Sequence, residues 1–270
     1  MKNQEIEWLL KEKYHGEKSD AFFADCARLE AGEPLAYLIG SIPFLDCQIS
    51  LDSHPLIPRP ETEYWVEQAI TEIRSRSLRQ DLVIRGLASN LESRGRTPKI
   101  LDLCAGSGAI GVAVAKATPE AMVTFAEIDQ NHLPTITKNL TANITEYPNR
   151  LGYYHCVQSD LFANATGTFD FILTNPPYID KAADTVEDSV VAHEPALALF
   201  GGVGGMEIIA RIIAEASTYL TPNGQLWIEH EPFQCEAIAT LAAEHHLAVT
   251  HHQDQYDTYR YSIMKPLVAE

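Results

Sequence analysis

The sequence has little cysteine, no long apolar run and a shortage of positive charge. Its five cysteines (Cys26, Cys47, Cys104, Cys156, Cys235) are scattered and odd in number, with no C-x-x-C pair. That pattern argues against a disulfide framework or a zinc site. No apolar stretch approaches the ~20 residues that a membrane helix needs, so no membrane association is expected. The opening Met1-Lys-Asn-Gln-Glu-Ile-Glu-Trp-Leu-Leu10 has neither an apolar signal core nor an Arg-rich transit character, and a cytoplasmic protein is the expectation. Lys and Arg number 20 against 37 Asp and Glu, a net charge of −17. Such a chain lacks the basic face that phosphate contacts require, so direct nucleic-acid binding is not expected.

What is present fits one sizeable domain with a small appendage. The 270 residues are 46% hydrophobic, enough for a real core. Apolar residues recur at helical spacing through Ile6, Leu9 and Leu10, then Phe22, Phe23, Cys26 and Leu29, with a break near Gly16. This predicts a short helical domain over residues 1–35. Residues 36–60 are β-branched, aromatic and Pro-punctuated, and read as a linking β-hairpin formed by Tyr37–Phe44 and Gln48–Leu51. An amphipathic helix is predicted from Glu61 to Arg74, followed by a partly helical connection from Ser75 to Pro98.

From Lys99 strands and helices alternate. Strands are predicted at 99–104, 122–126, 153–157, 169–173 and 224–229, with helices at 109–117, 131–143, 207–220 and 236–245. Two last strands, 247–252 and 259–264, have no helix between them. The pattern predicts an α/β domain over 61–270: a seven-stranded, mostly parallel, doubly wound Rossmann-like sheet ending in an antiparallel hairpin.

Gly106-Ser-Gly108-Ala-Ile-Gly111 fits the G-x-G-x-x-G template between a strand and a helix, and Glu127 follows 21 residues after Gly106 at the end of the next strand. That is the pattern of a ribose-bearing ligand, including a nicotinamide dinucleotide, so an oxidoreductase is one reading. Asp102 shifts the balance. A carboxylate just before the glycines sits badly beside a pyrophosphate but suits a cationic ligand with an amino group, such as the methionine part of S-adenosylmethionine.

Asn175-Pro-Pro-Tyr178 closes the strand that begins at Phe169. Two prolines donate no backbone hydrogen bonds and stiffen the turn, leaving the carbonyls around Pro176 as aimed acceptors. Asn175 adds a side-chain oxygen, and Tyr178 a flat face. Two acceptors on one spot suit the NH2 of an amide or a base held for methyl transfer. Asn175, Pro176 and Tyr178 are the candidate catalytic residues.

Together, Asp102-Leu-Cys-Ala-Gly-Ser-Gly-Ala-Ile110 and Asn175-Pro-Pro-Tyr178 resemble the class I S-adenosylmethionine-dependent methyltransferases that act on a planar NH2. Gly32-Glu-Pro-Leu-Ala-Tyr-Leu-Ile-Gly40 and Leu56-Ile-Pro-Arg-Pro-Glu-Thr-Glu63 narrow the resemblance to the peptide chain release factor glutamine methyltransferases of the HemK/PrmC type. Glu194-Pro195, Gly205-Met206, Ile228-Glu-His230 and Asp257-x-x-Arg260 fit as well. The resemblance implies N5-methylation of a glutamine in release factors by an enzyme that uses S-adenosylmethionine; a monomer is expected. Related alternatives are a ribosomal-protein glutamine methyltransferase and a methyltransferase of adenine or guanine amino groups.

By the same resemblance Cys104, Ala105, Gly106, Ser107 and Gly108 wrap the methionine part of the cofactor, and Asp102 counts among the cofactor-binding residues. Glu127 holds the ribose hydroxyls, Asp160 and Leu161 border the adenine, and Asn175 reaches both ligands. Asn175, Pro176, Pro177 and Tyr178 hold the glutamine, with Arg59 and Glu63 at the mouth. Two features stand outside this frame. His245-His246 and His251-His252 with Asp254 read as surface or partly packed residues, because neighbours on a strand face opposite ways, and no metal is expected. Gly201-Gly-Val-Gly-Gly205 reads either as a mobile loop near the mouth or as a helix lead-in.

Overall fold

A computed structural model describes residues 2–84, 97–146, 148–183 and 188–267. The chain opens with α1 (Lys2–Glu12) and α2 (Asp20–Glu30), separated by Gly16 in a left-handed conformation with φ 90°. The Ser19 hydroxyl caps α2 by accepting from the Phe22 amide at 3.3 Å. Next comes α3 (Leu35–Ile39), where a strand was expected from Tyr37. Pro34 presets the entry, Gly40 at φ 88° ends the turn, and Leu38 buries into a cluster with Leu9, Phe22 and Leu29. That burial decides for helix over the β-branched composition. The hairpin is correspondingly shorter: β1 (Ser41–Phe44) pairs antiparallel with β2 (Cys47–Ser50).

The helix α4 (Pro60–Ile84) begins at a proline and carries Glu61 and Glu63 in its first turn. It runs ten residues past the expected Arg74. Arg76 supplies a reason: it bonds Glu72 one turn back at 2.9 Å, donates to the Asn223 carbonyl and lies 4.5 Å over the Phe171 ring. The remainder of the predicted 75–98 connection, residues 85–96, lies outside the described residues.

The main domain proceeds through β3 (Lys99–Leu103), α5 (Ala109–Ala117), β4 (Met122–Glu127), α6 (Leu133–Asn143), β5 (Tyr154–Gln158) and β6 (Phe169–Thr174). Two short helices, α7 (Asp188–His193) and α8 (Ala196–Leu199), precede α9 (Glu207–Tyr219), β7 (Leu220–Glu229), α10 (Cys235–Glu244), β8 (Leu247–Gln253) and β9 (Tyr259–Pro266). The strand order is β5-β4-β3-β6-β7-β9-β8. The five strands from β5 to β7 are parallel, and β9 runs antiparallel to both neighbours, as the missing crossover helix predicts. Trp65, Val112, Phe125 and Ile136 belong to one buried layer; Phe162, Ile212, Ile213 and Ile238 belong to another. The chain leaves β3 toward β4 on one side and reaches β6 on the other, and that switch point opens a crevice at the strands' carboxyl ends.

Candidate active site

The crevice begins where β3 runs into a strained turn. Cys104 holds φ 61°, left-handed for a residue with a side chain, at a cost of about 1–3 kcal/mol. Gly106 and Gly108 complete the turn at φ 54° and 78°, with the Gly108 amide donating to the Ala105 carbonyl at 2.7 Å. Ser107 is buried, and its carbonyl accepts from the Asn139 side chain at 2.9 Å. Gly111 answers a different need. A Cβ there would stand 2.3 Å from the Phe125 ring and 2.8 Å from the Asp102 carboxylate, so only hydrogen lets α5 pack this close to the sheet.

Glu127 closes the turn from the neighbouring strand. One of its oxygens accepts the Gly106 amide at 2.7 Å and the other the Asp129 amide at 2.9 Å. Each oxygen keeps a further lone pair, and the residue lines the crevice. Asp102 stands behind the turn and off the crevice wall, fully buried. Its Oδ2 accepts the Gly111 amide at 2.8 Å, while Oδ1 is buried without a partner among the described residues. Burial, with the Glu127 charge adding to it, pushes the Asp102 carboxyl well above the usual carboxylate range.

The crevice holds about 860 Å³ counted out to its open mouth. Cys104, Gly106, Glu127, Ile128, Asp160, Leu161, Asn175 and Pro177 line one part, and Pro195, Leu197 and Phe200 contribute to its wall. Leu161 is buried at φ 47°, and Asp160 pairs with Arg211 at 2.9 Å on the exposed rim. Of the expected cofactor set, Cys104, Gly106, Glu127, Asp160, Leu161 and Asn175 therefore share one cavity. Ala105, Ser107, Gly108 and Asp102 shape the turn behind it.

Asn175-Pro-Pro-Tyr178 leaves the end of β6 at the same edge. The Asn175 side-chain NH2 donates to the Thr62 hydroxyl at 3.1 Å. Among the described residues no hydrogen bond reaches the Pro176 carbonyl. The Tyr178 hydroxyl donates to Glu229 Oε1 at 3.0 Å, and Glu229 Oε2 accepts from Thr62 and from the Trp65 indole, each at 2.7 Å. Burial pushes the Glu229 carboxyl up, against the pull of these three donors; burial also raises Tyr178.

A glycine loop braces the turn from outside. A Cβ on Gly201 would meet the Pro177 carbonyl at 2.3 Å, and one on Gly205 would meet the Tyr178 carbonyl at 1.8 Å. Gln234 ties both strands of this contact, donating to the Tyr178 and Gly204 carbonyls at 2.9 Å. Ile179 and Phe200 add a parallel bridge. Residues 201–205 are thus a packed support for the proline corner.

The two mouth candidates sit elsewhere. Arg59 pairs with the buried Glu194, which also accepts the Ile57 amide at 3.1 Å, and the Glu63 carboxylate accepts the Leu45 amide in the hairpin turn. Neither lines the crevice, since both are spent holding 45–60 against the main domain.

Residues 79–202 match the model of the methyltransferase small domain. The chain is 31% identical to a release factor glutamine methyltransferase of Lactococcus lactis over 88% of its own length and 80% of the relative's. It is 36% identical to a protein of the same name from Rhodopirellula baltica, over 84% and 71% of the two chains. This chain belongs to the release factor glutamine methyltransferase family. In fold the family member also resembles the hMettl16 catalytic domain solved with an RNA hairpin, at a TM-score of 0.57 and 15% identity over 83% of this chain and 77% of that one.

Sequence reasoning passed over Thr62, Trp65 and Gln234, which sit 113, 110 and 59 positions from Asn175. Glu229 in Ile228-Glu-His230 and Thr62 in Leu56-Ile-Pro-Arg-Pro-Glu-Thr-Glu63 lay in segments of the resemblance, without a role. The structure also gathers ligand atoms of His230, Cys235 and His251 within 4.8 Å, from just past β7, the start of α10 and β8. The Ser262 hydroxyl lies 2.7 Å from a ring nitrogen of each histidine, so it already occupies the space between them. Asp254 caps the β8–β9 turn through the Tyr256 and Thr258 amides. No helix among the described residues is long and apolar enough to cross a membrane.

Proposed function

We propose that the enzyme methylates the side-chain amide nitrogen of a glutamine in a peptide chain release factor, giving N5-methylglutamine and S-adenosylhomocysteine. The observation that carries this reading is that Asn175 and the ribose-type acid Glu127 line one crevice, with the Asn175 side-chain oxygen and the adjoining Pro176 carbonyl both without a partner among the described residues. Family membership supplies the substrate class.

The residues present fit S-adenosylmethionine. Glu127 keeps lone pairs for two ribose hydroxyls, Asp160 and Leu161 border the space for adenine, and the 104–108 turn offers backbone at close range. Asp102 stays behind the turn, where its Oδ2 holds the Gly111 amide and so the start of α5. Bound there, the cofactor would supply an electrophilic sulfonium methyl group.

The protein's own task is positioning, because an amide nitrogen is a poor nucleophile. Asn175 and Pro176 accept the two N–H groups and leave the nitrogen aimed along the crevice. Near-attack alignment of this kind contributes roughly 7–11 kcal/mol. Both acceptors bind more strongly as positive charge develops on nitrogen, which is selective for the transition state. The methylated nitrogen then loses its proton to water, so no strong general base is required. Tyr178, fixed by Glu229, sets a flat wall beside the amide.

The net charge of −17 favours a protein substrate over nucleic acid, and a release-factor substrate fits an enzyme acting in the cytoplasm. Incubation with methyl-labelled S-adenosylmethionine and release factors tests the proposal. Label on one glutamine is the expected result; label on RNA or DNA with none on any glutamine contradicts it.

A further inference from the structure

The corner works only if the Asn175 amide points the right way round. Its oxygen must face the substrate, and rotation by half a turn would present an NH2 to another NH2. An isolated asparagine at a crevice wall has no strong preference between these two states, so something behind it has to choose.

Thr62 stands in that place, 3% exposed in the first turn of α4, with its hydroxyl 3.1 Å from the Asn175 nitrogen. A hydroxyl has one proton to give. Its other neighbour is Glu229, 1% exposed at the end of β7, whose Oε2 is 2.7 Å away. The same Oε2 takes the Trp65 indole N–H at 2.7 Å, and an indole can only donate. As a carboxylate met by the Trp65, Thr62 and Tyr178 donors, Glu229 can only accept, so Oε2 receives the Thr62 proton. The lone pairs of Thr62 are left facing Asn175, where they demand a donor.

We propose that Thr62, set by Trp65 and Glu229, is a positioning residue that fixes the Asn175 amide with its nitrogen inward and its oxygen in the crevice. The chain of bonds runs one way: Asn175 N–H to Thr62, Thr62 O–H to Glu229, with Trp65 and Tyr178 donating into the same carboxylate. One buried acid thus orients both the acceptor and the aromatic wall of the corner. This goes beyond the proposed reaction and rests on it for its kinetic readout.

The test compares Thr62→Val, which keeps the shape and removes the hydroxyl, with Thr62→Ser, which restores it. Thr62→Val should lower kcat by about 10²-fold, the size expected of a misdirected reacting group. KM for the substrate and the dissociation constant for S-adenosylhomocysteine should change little, and Thr62→Ser should return kcat close to the wild-type value. In an Asn175→Ala background Thr62→Val should have no further effect. Wild-type kcat in Thr62→Val, or equal losses in the Val and Ser variants, would overturn the proposal. A second readout needs no turnover and no Thr62 variant. The Asn175 side-chain NH2 signal in a ¹⁵N spectrum, identified by its loss in Asn175→Ala, should exchange slowly with solvent, and exchange at the rate of a free amide would overturn the orientation. Because this reading is taken without substrate, it separates failure of the orientation from failure of the proposed reaction.

Discussion

The two halves of the crevice are built by opposite means. On the cofactor side Cys104, Gly106, Gly108, Gly111 and Glu127 lie within 24 residues, in one strand-turn-helix-strand unit, and backbone amides make the decisive bonds. On the substrate side four local residues are aimed by side chains from far away: Thr62 and Trp65 from α4, Glu229 from β7, and Gln234 with the 201–205 loop from outside. The first half is a backbone cradle closed by the Glu127 and Asp102 carboxylates. The second is a side-chain network, where one wrong donor misdirects the reacting group.

The comparison breaks or holds at Asn175. Asn175→Ala should lower turnover on the order of 10²–10³-fold, the scale for removing one preorganised polar group, while S-adenosylhomocysteine binds nearly as before by calorimetry. Loss of cofactor affinity instead would merge the two halves.

His230, beside Glu229, sharpens the point through pH. Burial lowers its imidazole to about 4, from 6.5 in the unfolded chain. The folded state binds fewer protons than the unfolded one between these values, so the contribution to stability is complete above pH 6.5 and lost as pH falls toward 4. The loss amounts to about 3 kcal/mol by linkage. Denaturant unfolding at pH 7 and pH 5 should show about 2 kcal/mol of it, with a shallower slope in His230→Asn.

On the cofactor side Gly111→Ala should cost about 1–3 kcal/mol, since the added carbon meets the Phe125 ring, read as a lower Tm. The smallest effect belongs to the exposed Lys138–Asp52 pair, which neither half uses. Lys138→Ala should change stability by at most ~1 kcal/mol and leave turnover unchanged.

The same contrast explains what could be read from the sequence. The order of the main-domain strands and helices, the antiparallel end and the glycine turn were legible because each depends on residues close together in the chain. Helix α3 was not, because Tyr37-Leu-Ile has strand composition and only packing of Leu38 on Leu9 and Phe22 decides it. The end of α4 was hidden for a similar reason: Arg76 finds Phe171 and Asn223 across the fold. In the site, Asn175 and Glu127 announced themselves by motif. Thr62 lay inside the Leu56–Glu63 motif without a role, since a threonine in a first helical turn is ordinary until the fold sets it against Asn175. Arg59 and Glu63 show the reverse, charged residues near a motif that are committed to Glu194 and Leu45.

The most direct measurement is a crystal structure with S-adenosylhomocysteine and a glutamine-bearing release-factor peptide. The side-chain amide nitrogen should lie within hydrogen-bond distance, about 2.7–3.2 Å, of both the Asn175 oxygen and the Pro176 carbonyl, with its free side toward the cofactor sulfur. A glutamine bound with its carbonyl oxygen on that corner, or away from it altogether, would contradict the account.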